Sequence, residues 1–335
     1  MKNTAVWGGD KREIFLEERP ELVPPPGWLR IRVAGVGICG SDLHTYFGGG
    51  PRGGVPGHEV AGVVDLVGKN VSLAVGSCVA IEPIASCGVC VNCLAGYRWH
   101  CPRSIFLGGD GDGGMATHML APEAASFVLP ETILPEEGSF VEPLAVGIHA
   151  LNAAQVNPGD RLLILGAGTV GLCTALVARQ LGIQEVYITA KHSFQADIAK
   201  FYGAIPIKPD EVLLQLKDTS IDTVIETVGG KTDTLVTGLR AVRTRGSVVV
   251  VGIFTENIDF PVNELLLKEV RLIGAVCYAR KGDHFEFAIA AQMLDQVREE
   301  IQYIKTHSFS LAEISQAFEV AADKVTGSVK VQICP

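Results

Sequence analysis

The stretch CGVCVNCLAGYRWHC holds four cysteines in fifteen residues, in a chain of 335 residues that has nine in all. Cys87, Cys90, Cys93 and Cys101 follow a Cys-x2-Cys-x2-Cys-x7-Cys spacing, which places four thiolates on one short loop. That is the ligand set of a closed, tetrahedral structural zinc site, with no position left for a substrate. Four thiolates also suit an iron–sulfur cluster or could simply pack, but the spacing is read here as structural zinc. A second, dispersed set has a different character: Cys39 in ICGSDLH, His58 and Glu59 in PGHEVAG, and Glu142 in FVEPLAVG. Each alone has an ordinary explanation, as a small buried thiol, a core histidine or a solvated carboxylate. Together they offer a mixed sulfur, nitrogen and oxygen donor set, and three such ligands leave a zinc position open for a water or an alcohol oxygen.

A third feature handles phosphate. Gly166-Ala-Gly168-Thr169-Val170-Gly171 follows the apolar run RLLILG and opens a helical pattern. In that context the first glycine permits a tight turn, the second lets a pyrophosphate approach the backbone, and the third lets helix and strand pack closely. The next strand, EVYITA, is expected to end on the acidic residue that binds the ribose 2′-hydroxyl of NAD. It ends instead on Ala190, followed by Lys191 and His192, which could hold a 2′-phosphate by charge-assisted hydrogen bonds. NADP(H) is the favoured cofactor, with NAD(H) the alternative.

These residues need elements to position them. Between residues 161 and 277, RLLILG, EVYITA, IDTVIETVG, GSVVVVGIF and VRLIGAVC read as strands buried on both faces, alternating with helical patterns such as VGLCTALVARQLG and TDTLVTGLRAV. That is a parallel, doubly wound sheet of the Rossmann type. The first 145 residues carry short β-like pieces broken by Gly and Pro turns and form a β-rich domain. Beyond Cys277 come the helical stretch DHFEFAIAAQMLDQV, a capping box from Ser310 to Glu313 and the strand-like SVKVQIC, which returns to the first domain. The expected division is therefore 1–147 with 278–335, and 148–277.

Composition narrows the partners. A hydrophobic fraction of 47% excludes disorder, and a net charge of −9 argues against a nucleic-acid surface. The run 162–178 approaches the ~18–20 apolar residues of a membrane helix, but its three glycines favour strand, turn and helix. No N-terminal apolar run precedes a cleavage site, and clustered thiols without an even disulfide framework suit a reducing compartment, so a cytoplasmic protein with a small-molecule partner is expected.

In chain order, CGSDLH, GHEVAGVV, the four-cysteine lobe, DGGMATHM, EPLAVGIHA and GAGTVG resemble the zinc-dependent medium-chain dehydrogenases, the group that includes polyol (sorbitol), threonine and alcohol dehydrogenases. The resemblance covers nearly the whole chain. It implies a GroES-like β-rich catalytic domain and a Rossmann domain with a cleft between them, two zinc ions per chain, and a homodimer or homotetramer built by pairing Rossmann sheets edge to edge. It places a catalytic zinc on Cys39 and His58 with a carboxylate, Glu59 or Glu142. It assigns a proton relay to Ser41 and His44, and conversion of a secondary alcohol or polyol to a ketone by hydride transfer. Reduction of an activated C=C or C=N bond is the alternative on this scaffold, and a binding protein that has lost the reaction is a more distant one. Cys78 and His118 depart from the usual pattern with packing consequences only, and Tyr46, Phe47 and Phe106 are candidate pocket side chains.

Overall fold

The structure is a computed structural model that describes residues 2–281 and 284–335. Tertiary contacts divide the chain into two compact units, 1–142 with 279–335, and 143–278.

The first unit is built on a seven-stranded sheet. Its central strand, Trp28–Gly37, alternates buried Leu29, Ile31 and Val33 with Arg30 and Arg32, the period-two pattern of a strand with one face in a core. It pairs antiparallel with Glu59–Val67 on one side, and with Lys330–Cys334 and His118–Pro122 along its other edge. Two register shifts interrupt the first of these ladders and bend the strand. At its end Gly37 faces Glu59, while Gln332 of the C-terminal strand also faces Gly37. Strand pairing thus delivers the chain's last segment to the neighbourhood of Glu59. The core beneath is filled by Trp7, Leu29, Ile31, Val60, Val64 and Phe318. Tyr46 belongs to this core, 5.2 Å from the Phe318 ring, and so does not line a pocket. The SVKVQIC stretch is the strand Lys330–Cys334, and Ser310 with Glu313 forms the capping box, the glutamate accepting from the Ser310 N–H at 2.9 Å. The late helix begins at Glu286. Asp283, the first residue of the stretch expected to be helical, lies outside the described residues.

The second unit is a six-stranded parallel sheet in the order Ile205–Ile207, Glu185–Thr189, Arg161–Leu165, Ile221–Glu226, Val242–Val250, Arg271–Gly274. Chain order reverses beside Arg161–Leu165, creating the switch point at which such sheets bind ligands. Leu162 to Leu165 are wholly buried, as a strand covered on both faces requires. Two expectations need correction. Ile205–Ile207 is a sheet strand too short, and too interrupted by Pro206, to show periodicity. The VRLIGAVC strand is not buried on both faces: Arg271–Gly274 stands last in the order, and Arg271, Leu272 and Gly274 are exposed. The 162–178 run resolves into a strand, a turn and the helix Thr169–Gln180. Among the described residues no helix is long and apolar enough to cross a membrane.

Candidate metal centres and cofactor turn

Cys39 caps the helix Gly40–Gly48 with extended backbone, and its N–H donates to the Asp42 carboxylate at 2.8 Å. That one-turn loop-back leaves the Cys39 side chain at the helix entrance. His58 and Glu59 lie where the chain enters the strand Glu59–Val67. The Cys39 sulfur, a His58 ring nitrogen and a Glu59 oxygen all lie within 4.8 Å of one another. Three donors of these types, two of them buried, fit a zinc ion with a fourth position left open. Glu142, at the start of the helix Val141–Ala154, is buried and close enough to act on the charges of His58 and Lys330, but stands outside the convergent three.

Two residues overlooked at the level of sequence complete the surroundings. Asp42 places a carboxylate oxygen 3.7 Å from His58 Nδ1, both groups buried, beyond hydrogen-bond length but close enough for its charge to act on the imidazole. Lys330 donates to both Glu59 oxygens at 2.6 Å and to the Ile38 carbonyl at 2.9 Å. Lysine and glutamate are 3% and 2% exposed, so neither charge has water to fall back on. Gly37 is required here, since a Cβ at that position would come within 1.9 Å of Glu59 Oε2. Asp42 sat within the CGSDLH stretch and could have been found there as the residue able to loop back on the helix entrance. Lys330 carried no local signal.

Burial by itself pushes the His58 pKa down, but the charges of Asp42 and Cys39 overcome it and hold the group well above the ordinary histidine value. Burial likewise favours a neutral Lys330, and the Glu59 charge outweighs it to raise the lysine.

Ser41 and His44 lie on the same helix as the Cys39 cap, three residues apart and hence on one face, Ser41 half-buried and His44 exposed. The Phe106 ring packs 5.2 Å from that of His58, while Phe47 is exposed with the Arg12 guanidinium over its ring.

The four-cysteine lobe brings its sulfurs together in a different way. Cys90 and Cys93, and Cys87 and Cys101, are 3.5 Å apart, and Cys87 and Cys93 are 3.9 Å apart. A tetrahedron with metal–sulfur bonds of ~2.3 Å has sulfur–sulfur edges of about 3.8 Å, so the spacing fits one ion rather than a larger cluster. The Val89 N–H, foremost among its hydrogen bonds, holds Cys87 down to about 6, toward the thiolate form a metal requires. Arg98 ties the lobe to the strand end through buried Glu82 at 2.5 Å and Ser86 at 2.9 Å. Cys78 belongs to neither cluster, and His118 faces Asp65 at 3.3 Å.

In the second unit the three glycines of the turn are structurally distinct. Gly166 has φ +107°, a Cβ on Gly171 would come within 1.8 Å of the Gly166 carbonyl oxygen, and Gly168 has open space where its side chain would be. Thr169 and Val170 begin the helix, and the Gly166 N–H is held by the Thr189 hydroxyl at 2.7 Å. The turn is thus tight, closely packed and open where a pyrophosphate would need to approach. Ala190 is buried at the end of the next strand; Lys191 is exposed and makes no ion pair among the described residues, and His192 caps the helix Ser193–Phe201, stacked on Phe194.

Two outcomes are expected from this geometry. Lys330→Met strands a buried carboxylate and should lower the stability of the metal-free protein by about 3–5 kcal/mol; a loss below about 1 kcal/mol in chemical denaturation would show that the pair is not held as described. Protons compete with metal for His58, and its raised pKa moves that competition to higher pH. Zinc affinity of the mixed cluster should therefore fall on acidification, by at least about tenfold per unit once His58 is protonated, since the Cys39 thiol must shed its proton as well, as read by chelator competition between pH 8 and 6.

The chain is similar to known proteins over most of its length. Residues 25–131 match the alcohol dehydrogenase GroES-like domain and residues 169–296 the zinc-binding dehydrogenase domain. The chain is 31% identical to L-idonate 5-dehydrogenase of Vitis vinifera, over 96% of this chain and 92% of that one. It is also 31% identical to sorbitol dehydrogenase of Bacillus subtilis strain 168, over 97% and 95%. A zinc-binding dehydrogenase from Sinorhizobium meliloti 1021, solved bound to NADP, superposes with a TM-score of 0.90 at 28% identity, covering 100% of both chains. The chain belongs to the zinc-dependent medium-chain dehydrogenase family, with a GroES-like domain and a Rossmann-type domain.

Proposed function

We propose that this chain is a zinc-dependent dehydrogenase that interconverts a secondary alcohol or polyol and a ketone, with NADP(H) as the favoured cofactor, NAD(H) as the alternative, and two zinc ions per chain. The observation that carries the reading is the convergence of Cys39, His58 and Glu59 as an open ligand set, apart from the closed set of Cys87, Cys90, Cys93 and Cys101. A C=C or C=N reductase would have no use for the open set. Relatives named for idonate and sorbitol support a polyhydroxylated substrate.

When bound, zinc supplies Lewis acidity toward the substrate oxygen, and the nicotinamide gives or takes the hydride. The chain's residues do the rest. Asp42 adds its charge beside His58, Lys330 holds Glu59, and Glu142 adds negative charge nearby. Ser41 Oγ takes the proton that leaves the alcohol as it gives up its own towards His44, and His44, exposed one turn along the helix, releases a proton to solvent. The glycine turn, with Thr169 and Val170 at the helix entrance, receives the pyrophosphate. Ala190 removes the carboxylate that would repel a 2′-phosphate, while Lys191 and His192 supply donors for it. A homodimer or homotetramer fits the exposed edge strand Arg271–Gly274, whose unpaired backbone groups and exposed Leu272 offer a place for a second copy. A cytoplasmic location suits the free thiols.

Cys39→Ser is expected to release one of the two zinc ions and cut turnover about a thousandfold, several kcal/mol of lost Lewis-acid stabilisation, with the fold retained. Cys90→Ser should release the other ion and lower Tm before it affects kcat. Ordinary turnover in a Cys39→Ser protein lacking the first ion would end the mechanism. For cofactor choice, kcat/KM should be higher with NADPH than NADH, and Lys191→Ala should cost about tenfold with NADPH, the worth of one charged hydrogen bond, while leaving NADH within about twofold. A tenfold preference of the unaltered enzyme for NADH would overturn the assignment.

A further inference from the structure

The strand Ile221–Glu226 lies next to Arg161–Leu165, at the switch point of the sheet. Its last residue is a glutamate with no exposed surface. One carboxyl oxygen, Oε1, accepts from the Val228 N–H at 2.8 Å, the Gly229 N–H at 3.0 Å and the Thr234 hydroxyl at 2.8 Å. The other, Oε2, is buried with no hydrogen-bond partner among the described residues. A side chain kept for stability alone would be expected to use both oxygens; here three donors converge on one atom and the second goes unspent.

What that one atom organises is the loop 227–233. On one side, the Glu226 carbonyl accepts from the Val251 and Gly252 N–H groups at 2.9 and 3.0 Å, and the Gly230 N–H reaches the Ile253 carbonyl at 2.8 Å. The packing is too tight for a side chain at Gly252, whose Cβ would stand 2.4 Å from the Gly229 nitrogen and 2.5 Å from Glu226 Oε2. On the other side, the Thr227 hydroxyl donates to the Leu165 carbonyl at 2.8 Å, and Val228 crowds Gly166 so that a Cβ there would meet its Cγ2 at 2.7 Å. Val228 nonetheless remains 42% exposed. The loop is therefore a wall of the glycine turn, and its apolar face is Val228.

We propose that Glu226 is a positioning residue for the dinucleotide: by gathering the Val228 and Gly229 N–H groups and the Thr234 hydroxyl on Oε1, it fixes Val228 beside the Gly166–Gly168 turn and so sets cofactor affinity. The proposal rests on the dinucleotide-binding reading of that turn. It predicts a dissociation between binding and the rest of the protein's properties, because the clamp shapes the ligand-facing loop rather than the sheet.

The test is fluorescence titration of the zinc-loaded enzyme with NADPH and with NADH, alongside Tm without cofactor, zinc content, and kcat at saturating cofactor. Glu226→Ala should weaken the better cofactor tenfold or more, with kcat within twofold. Glu226→Gln, which keeps an acceptor oxygen for the same three donors, should restore binding to within threefold of the unaltered enzyme. Thr234→Val, which removes one donor and leaves the carboxyl in place, should weaken binding about threefold and serves if the alanine variant does not fold. An alanine variant that folds and binds within twofold, a glutamine variant as weak as alanine, or a Thr234→Val protein with unchanged affinity would overturn the role. Losses of Tm, zinc and kcat without a change in cofactor affinity would also overturn it, by showing a purely structural glutamate. Failure of the unaltered enzyme to bind either cofactor would instead remove the dinucleotide reading on which the proposal stands.

Discussion

A carboxylate taken out of water must be answered by a positive charge or a dense set of donors, and the pair Glu59–Lys330 is how this chain meets that requirement beside its candidate open metal site. Much of the first unit's layout follows from it. Gly37 has no side chain because the carboxyl group occupies the space one would take. The C-terminal strand pairs with the strand Trp28–Gly37 in the register that sets Gln332 opposite Gly37, two residues from the lysine. The lysine's third donor closes on the Ile38 carbonyl, one residue before Cys39. Glu59, its counter-charge and the backbone leading to Cys39 are thereby locked into one unit.

The two candidate metal sites differ in what supports them as well as in their donors. Four thiolates on one loop need only local turns and the Arg98–Glu82 tie to close on an ion. Three mixed donors from two segments need a sheet to bring them together, with a carboxylate charge beside the imidazole and a lysine to balance the glutamate. That difference in support matches a division between holding shape and leaving a coordination position free for exchange.

The extent to which this could be read from the chain follows the distance over which each feature is encoded. The cysteine lobe, the glycine turn and the alternation of strand and helix are set within a few residues, and local spacing revealed them. Asp42 was within reach, three residues after Cys39 in a stretch already singled out. Lys330 was not: nothing in GSVKVQIC distinguishes a lysine that ends in a buried ion pair from one that faces solvent, because its partner lies 271 residues away. Tyr46 failed for a related reason, since an aromatic beside a site and an aromatic in the core below it have the same local pattern. The edge strand Arg271–Gly274 looked interior because apolar content alone does not distinguish a strand flanked on both sides from one that ends the sheet.

The Lys330–Ile38 bond joins residues 292 positions apart, and this sets an order of events during synthesis. Domains form as the chain emerges, N-terminal portions first. The four-thiolate loop has all its ligands once Cys101 has left the ribosome, and it can load metal while most of the chain is still to be made. Cys39, His58 and Glu59 have all been made by then, but Glu59 waits for its counter-charge until the second unit and the strand Lys330–Cys334 have been translated. Until that strand joins the sheet, Glu59 lacks its counter-charge, so the candidate open site is completed only after Lys330 has been made.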